Sequence, residues 1–224
     1  MNDTTDLQVD TTNVEQLKAW DGGEGDYWAA NANLYDAAVT PYHRPLLDLA
    51  AIAPDDAVLD IGCGTGTLLL HCKRQHPDVS ATGIDPDPKV LARARKKAER
   101  AALSVRFDHG YGDALPYDDG SFERVFCSMM LHHLDPPDKA ALLAEAARVL
   151  KPGGRLELAD FVGPQDVERN ALQRWLHDNE RMRDNGTEQV LSLMRDAGLA
   201  DPRIVSRSRL LVGTVAFYRA HRLG

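Results

Sequence analysis

The alternation of strand and helix patterns between residues 57 and 159 constrains the fold of this chain most strongly. Short apolar runs with strand character are separated by longer segments whose apolar residues recur at helical spacing. Because repeated strand–helix–strand units require parallel strands joined by right-handed crossovers, we predict a three-layer α/β sandwich. The predicted strands cover residues 57–61, 80–84, 104–109, 122–128 and 155–159, and the predicted helices cover 66–76, 88–102 and 138–150.

The segment before this core has helical patterns of its own. They cover residues 14–20 and 27–39, and a further helix is predicted to begin between Pro41 and Pro45. We therefore predict a helical cap or lid over residues 1–50.

The segment after the alternating region completes a predicted core domain of residues 51–224. A helical insertion is expected near residues 163–184. Residues 203–208 and 210–217 are predicted to be two tightly joined strands, which makes them antiparallel neighbours. A sharp turn is predicted at residues 151–154, before the fifth strand.

The composition limits the partners and the compartment. The chain has 224 residues and a net charge of −8, so it has no general attraction to nucleic acid or to anionic membranes. Its three cysteines have no C-x-x-C spacing, its N-terminus lacks a signal sequence, and no stretch is apolar enough to cross a membrane. We predict a cytoplasmic protein without nucleic-acid or membrane partners; a homodimer is compatible with the sequence.

A glycine-rich turn follows the first predicted strand, with the sequence Gly62-Cys63-Gly64-Thr65-Gly66. Glycines adopt backbone angles closed to other residues and let a ligand approach the main chain. In an open α/β sheet this turn lies at the carboxyl edge, where ligands bind. A dinucleotide site requires a glycine at position 67, where this chain has Thr67, and no nucleoside-triphosphate loop is present.

Acidic residues mark the ends of three successive predicted strands. Asp60 precedes the glycines and could pair with an ammonium group, whereas Asp85 stands where a carboxylate accepts hydrogen bonds from a ribose. Asp113 could accept from an adenine amine. Each acid also has a structural alternative, as a helix cap or a turn residue. Together they favour a cationic adenosine cofactor without phosphate.

These motifs resemble those of the class I S-adenosylmethionine-dependent methyltransferases. The resemblance covers residues 57–159, with motifs in order at 58–66, 83–85, 112–116, 122–133 and 150–154. It implies a Rossmann-like, seven-stranded, mostly parallel sheet with an antiparallel last strand, and S-adenosyl-L-methionine as the cofactor. The small-molecule branch, which includes quinone-biosynthesis and natural-product methyltransferases, is the most similar.

The resemblance also implies the cofactor contacts. Asp60 and the glycine-rich loop are expected along the methionine part, Asp85 at the ribose, and Asp113 with Ala114 beside the adenine. Tyr27 and Tyr35 would belong to a lid, although a helix packed on the sheet edge is the alternative. The predicted cofactor-binding residues are Tyr27, Tyr35, Asp60, Gly62, Cys63, Gly64, Gly66, Asp85, Pro86, Asp113, Ala114 and Ser128.

Two histidines after the fourth predicted strand are the candidate bases. The cofactor's sulfonium is already a good leaving group, so catalysis mainly requires alignment and exclusion of water. A hydroxyl or an acidic carbon in the acceptor still needs a base, for which His133 is preferred and His132 is the alternative. One of the pair is expected to be structural. We predict no metal site.

The predicted activity is methyl transfer to a small-molecule acceptor by in-line displacement. Methylation of RNA or protein is an alternative, against which stand the acidic charge and the absence of an Asn-Pro-Pro-Tyr-like sequence at residues 128–131. A non-catalytic S-adenosylmethionine-binding protein is a second alternative. The sequence does not define the acceptor or the atom that is methylated.

Overall fold

The computed structural model describes residues 32–163, 166, 184–210 and 213–224. Tyr27, the side chain of Tyr35, the helix predicted at residues 14–20 and most of the predicted insertion lie outside this description.

The described residues form a seven-stranded sheet in the order β3-β2-β1-β4-β5-β7-β6. Strands β1 to β5 pair in parallel, whereas β7 runs antiparallel to both β5 and β6. This confirms the predicted fold class. The strands are β1 (Ala57–Ile61), β2 (Ser80–Asp85), β3 (Arg106–His109), β4 (Phe122–Ser128), β5 (Leu150–Phe161), β6 (Leu199–Leu210) and β7 (Gly213–Arg222). The helices are α1 (Ala32–Ala50), α2 (Thr67–Gln75), α3 (Pro88–Arg100), α4 (Pro136–Val149) and α5 (Thr187–Asp196), with a 3₁₀ turn at Leu131–His133.

The hydrophobic core has two layers, one on each face of the sheet. Helices α1, α2 and α3 contribute to one layer, and α4 and α5 to the other. Successive strand residues point to opposite faces, so Val58 packs into the first layer and Leu59 into the second. None of the helices in the described part of the chain is long and apolar enough to span a membrane.

The strand order reverses between β1 and β4, at the centre of the sheet. The chain runs outward from β1 through β2 to β3, and then returns to place β4 on the other side of β1. The crevice at such a point, outside the carboxyl ends of the strands, is where open α/β sheets bind ligands. The glycine-rich loop after β1 and the histidines after β4 therefore face the same crevice.

Helix α1 is continuous through Pro41 and Pro45, where the sequence predicted a break. Each proline removes one backbone donor and disfavours a helix by about 3 kcal/mol. The free energy gained by burying one face of α1 outweighs this cost. Tyr42, Leu46 and Leu47 are almost fully buried, and burial of each such side chain stabilises the fold by about 1.5–3 kcal/mol.

Two arginines of the sheet fix the C-terminal end of α1. The Arg124 guanidinium on β4 donates to the carbonyls of Ala50 (2.9 Å) and Ala51 (2.8 Å), and Arg219 on β7 donates to the carbonyl of Leu49. Cationic donors satisfy the carbonyls that a helix end leaves without partners. Helix α1 thus packs on the sheet within the first core layer.

Strand β5 is longer than predicted, because residues 151–154 belong to it instead of forming a separate turn. Between the register pairs Phe122–Leu150 and Arg124–Arg155, four residues of β5 oppose one residue of β4. Gly153, with φ 76°, provides the left-handed backbone within this bulge. Strand β6 extends beyond both of its predicted bounds and includes Leu210, which was predicted to begin the next strand. Strand β7 begins later than predicted, at Gly213, and continues to Arg222 because it pairs with β6 along its length.

Candidate active site

The three glycines of the loop after β1 have different structural roles. All three have positive φ angles: 70° at Gly62, 51° at Gly64 and 74° at Gly66. A Cβ atom at Gly62 would lie 2.6 Å from Cγ of Met130, and one at Gly66 would lie 2.8 Å from the Phe107 ring. A Cβ atom at Gly64 would meet nothing within 4 Å. Gly62 and Gly66 are therefore packed against side chains, whereas Gly64 faces open space.

Asp85, at the end of β2, stabilises this loop through hydrogen bonds. Its carboxylate accepts hydrogen bonds from the backbone N–H groups of Gly64 (2.8 Å) and Asp87 (3.0 Å). Burial raises the pKa of Asp85 to about 6, and the hydrogen bonds from Asp87 and Gly64 oppose that rise. The carboxylate thus lies between the loop and the beginning of α3.

Two adjoining cavities lie along the carboxyl edge of the sheet. The large cavity has a volume of about 380 Å³ and the small cavity about 70 Å³. They share Gly62, Asp85 and Met130 as lining residues. The small cavity is closed mainly by apolar and aromatic groups, among them Ile84, Pro86, Tyr111, Leu134 and Leu142.

Ten of the residues predicted from sequence line these cavities. They are Asp60, Gly62, Cys63, Gly64, Asp85, Pro86, Asp113, Ser128, His132 and His133. Two predicted cofactor residues lie elsewhere. The Ala114 side chain is exposed, and Gly66 packs against Phe107.

Asp60 is buried on the wall of the large cavity, with only 2% of its surface exposed. Its Oδ1 atom has no hydrogen-bond partner among the described residues. Burial, and then the negative charge of Asp85, raise the pKa of Asp60 well above its ordinary value. A cation placed beside Asp60 would remove this cost, because a buried carboxylate is stabilised by an opposite charge.

Three more lining residues of the large cavity carry buried polar atoms without a hydrogen-bond partner in the described part of the chain. These atoms are Oη of Tyr42, Nδ1 of His43 and Oγ of Ser128. Burial and the neighbouring His71 lower the pKa of His43 to about 4, so this side chain is neutral at pH 7. Since buried polar groups are normally hydrogen-bonded, their concentration on one cavity points to a polar ligand.

His132 is oriented by a buried carboxylate at the end of β5. Its Nδ1 atom lies 2.6 Å from Oδ1 of Asp160, and its backbone N–H donates to Oδ2 at 3.0 Å. Burial alone would raise the pKa of Asp160, but the charge interaction and hydrogen bonds from His132, with the N–H of Phe161, hold it below its ordinary value. With an ionised Asp160, Nδ1 of His132 carries the proton and Nε2 is the basic ring nitrogen.

Sequence reasoning predicted a lid over residues 1–50 but missed Asp160 and the individual residues that α1 contributes to the cavity. Asp160 directly follows the fifth predicted strand, so the strand-end rule that identified Asp60 and Asp85 could have found it. Asp36, Val39, Tyr42 and His43 also line the large cavity. Their helical spacing was hidden by the predicted break at the prolines.

Comparisons with known proteins agree with this geometry. Residues 58–154 match the sequence model of the family described as "Methyltransferase domain". The chain is 36% identical, over 186 residues, to 27-O-demethylrifamycin SV methyltransferase of Amycolatopsis mediterranei, a match that covers 77% of this chain and 64% of that protein. It is 39% identical, over 123 residues, to demethylmenaquinone methyltransferase of Thermus thermophilus, a match that covers 55% of each. The chain thus spans less than two thirds of the length of these relatives.

The fold has close counterparts among solved structures. The YcgJ protein of Bacillus subtilis superposes with a TM-score of 0.69 at 20% identity, covering 81% of this chain and 98% of that one. At this identity the likeness concerns the fold. The matched motifs, the sheet order and the related sequences together confirm the resemblance: residues 58–154 form a methyltransferase domain of the class I, S-adenosylmethionine-dependent kind.

Proposed function

We propose that this protein transfers a methyl group from S-adenosyl-L-methionine to a hydroxyl group of a small, largely apolar molecule. The observation that carries this proposal is the contact of Asp160 with His132, whose side chain lines the large cavity. A hydroxyl group is a poor nucleophile until it loses its proton, and an oriented histidine is the usual group that removes it.

The residues along the two cavities fit the cofactor. Asp60 would hold its ammonium group, since a buried carboxylate oxygen there has no partner among the described residues. Asp85 would accept hydrogen bonds from the ribose hydroxyls, and the apolar small cavity beside Asp113 suits the adenine ring. When bound, the cofactor supplies an electrophilic methyl group on a sulfonium sulfur. The protein then has to align the acceptor and exclude water.

His132 is proposed as the general base. Its Nε2 atom would accept the proton of the acceptor hydroxyl, while Asp160 stabilises the imidazolium that forms and keeps the ring in one tautomer. The His133 ring lies 4.0 Å from the His132 ring, centroid to centroid. The sequence favoured His133, but the contact with Asp160 favours His132.

The lining of the large cavity supports an uncharged acceptor. None of the described residues that line it is lysine or arginine, so this part of the lining offers no permanent cation to a phosphate or carboxylate. Its apolar side chains include Val39, Leu68, Val90, Met129 and Phe161. The related proteins act, by their names, on demethylated forms of rifamycin and menaquinone, which supports an acceptor of that general kind.

Incubation with methyl-labelled S-adenosylmethionine tests the proposal. Phenols, hydroquinones, aliphatic alcohols and a small-molecule extract would serve as acceptors, and we expect label in an ether product. His132→Ala should abolish labelling, whereas His76→Ala, at the end of α2 away from the loop, should not. Label in the protein or RNA fraction would favour those acceptors, and cofactor binding without transfer to any fraction would favour a binding protein.

A further inference from the structure

A compact polar network connects α1 to the glycine-rich loop. The Asp36 carboxylate of α1 accepts hydrogen bonds from the hydroxyls of Thr65 (2.7 Å) and Thr67 (2.9 Å) through Oδ1. Its Oδ2 atom forms an ion pair with Nζ of Lys97 on α3, at 2.9 Å. Lys97 also donates to both threonine hydroxyls, at 2.9 Å to Thr65 and 2.5 Å to Thr67.

Every polar group of this network has a partner within it, and the two threonine hydroxyls also lie 3.2 Å apart. Each threonine hydroxyl donates its only proton to Asp36 and accepts one from Lys97, and the ammonium group uses its three protons on three oxygens. These interactions, with the charge of Lys97, hold the pKa of Asp36 below its ordinary value although burial would raise it. The Thr65 side chain is therefore held by contacts with Asp36, Lys97 and Thr67.

Thr65 links the network to the cofactor loop. It stands between Gly64 and Gly66, both with positive φ, and it lines the large cavity together with Asp36 and Thr67. Fixing a side chain between two flexible residues limits the conformations of the loop, and a preordered loop binds its ligand with less loss of entropy.

We propose that Asp36 is a positioning residue for the cofactor: it fastens α1 to the loop and thereby orders the part of the loop that holds the cofactor's amino-acid end. This inference rests on the cofactor placement given under the proposed function. That placement assigns the amino-acid end to the large cavity with Asp60, and the adenine to the small cavity, which Thr65 does not line.

The network adds little to global stability. The side chains of Asp36 and Lys97 are 25% and 32% exposed, and ion pairs at that exposure contribute modestly to folding. The C-terminal half of α1 is held independently of the network. Its buried side chains are Tyr42, Leu46, Leu47 and Ala50, and two arginines bind the carbonyls at its C-terminal end. Breaking the network should therefore loosen the loop while α1 stays packed on the core.

Calorimetric titration with two ligands tests the proposal. S-adenosylhomocysteine contains the amino-acid end, whereas 5′-deoxy-5′-methylthioadenosine contains only the adenosine and a methylthio group. Asp36→Asn should weaken S-adenosylhomocysteine binding about tenfold, a typical size for the coupling of a loop to its ligand. It should change methylthioadenosine binding less than about twofold. Lys97→Met should have the same pattern, and the double variant should bind no more weakly than either single variant, because both changes break one network.

Asp48→Asn is the matched control. Asp48 lies on the same helix in an exposed ion pair with Arg44, so its loss should leave both affinities unchanged. Unchanged S-adenosylhomocysteine binding in Asp36→Asn would overturn the inference, and so would an equal loss for both ligands, which indicates general damage to the site. If the unmodified protein bound neither ligand, the proposed function itself would fail and the inference with it.

Discussion

Replacing Asp160 with asparagine tests the proposed base most directly. Asp160 is fully buried, and its Oδ1 accepts from Nδ1 of His132 and from the Phe161 N–H, while Oδ2 accepts from the His132 N–H. Asparagine has one oxygen for these three donors. In either orientation of the amide, at least one of these donors faces an NH2 group, and the negative charge that stabilises the imidazolium is lost.

The expected loss follows from the missing negative charge beside His132. General-base catalysis by a positioned side chain contributes about 10²- to 10⁴-fold, so kcat of Asp160→Asn should fall by about that factor. This corresponds to about 3–5 kcal/mol of transition-state stabilisation at 1.36 kcal/mol for each factor of ten. S-adenosylhomocysteine affinity should stay within about twofold, because Asp160 does not line either cavity.

Two measurements check this reasoning. Methyl transfer to the acceptor found in the labelling assay gives kcat, and nitrogen-15 NMR of the imidazole reports which ring nitrogen of His132 carries the proton. Asp166→Asn is the control, since Asp166 also accepts hydrogen bonds through its carboxylate, but from Thr187. A variant at position 160 that kept kcat within threefold of the unmodified protein would refute the role of the pair.

Three further predictions concern the cofactor site. Because the pKa of Asp85 is raised to about 6, methylthioadenosine affinity should decrease as the pH falls through that value, and Asp85→Asn should bind more weakly with no pH dependence; calorimetry between pH 5 and 8 measures both. Asp60→Asn should weaken S-adenosylhomocysteine about tenfold yet raise the melting temperature at pH 8. The reason is that a carboxyl group whose folded pKa is raised above its unfolded value destabilises the fold as the pH rises, and the gain should shrink towards pH 5. Gly66→Ala should lower the free energy of unfolding by about 2–4 kcal/mol through backbone strain and contact with Phe107, whereas Gly64→Ala should cost about 1 kcal/mol from strain alone; urea denaturation compares them.

The sheet and its ligand-binding edge were predictable from local sequence patterns. Apolar runs at Ala57–Ile61 and Phe122–Ser128 have strand character whatever surrounds them, and parallel strands bring their carboxyl ends to one edge. Asp60 and Asp85 could therefore be placed near the same ligand before their distances were known. The motif order then identified the family.

The contact between His132 and Asp160 was beyond this reasoning. His132 and His133 are adjacent in sequence, and only the tertiary position of Asp160 distinguishes them. Helix α1 was divided at its prolines because local rules count the lost backbone hydrogen bonds but not the burial of Tyr42 and Leu46. Both differences arise from packing between segments far apart in the chain.

Helix α1 is held at both ends by contacts that do not involve its middle. Arg124 and Arg219 bind its last carbonyls, and Asp36 fastens its beginning to the loop. Between these anchors, Val39 and His43 contribute side chains to the large cavity. We expect this arrangement to favour evolutionary change of acceptor preference. Residues in the middle of α1 can vary, while the contacts at its two ends preserve the geometry that methyl transfer requires.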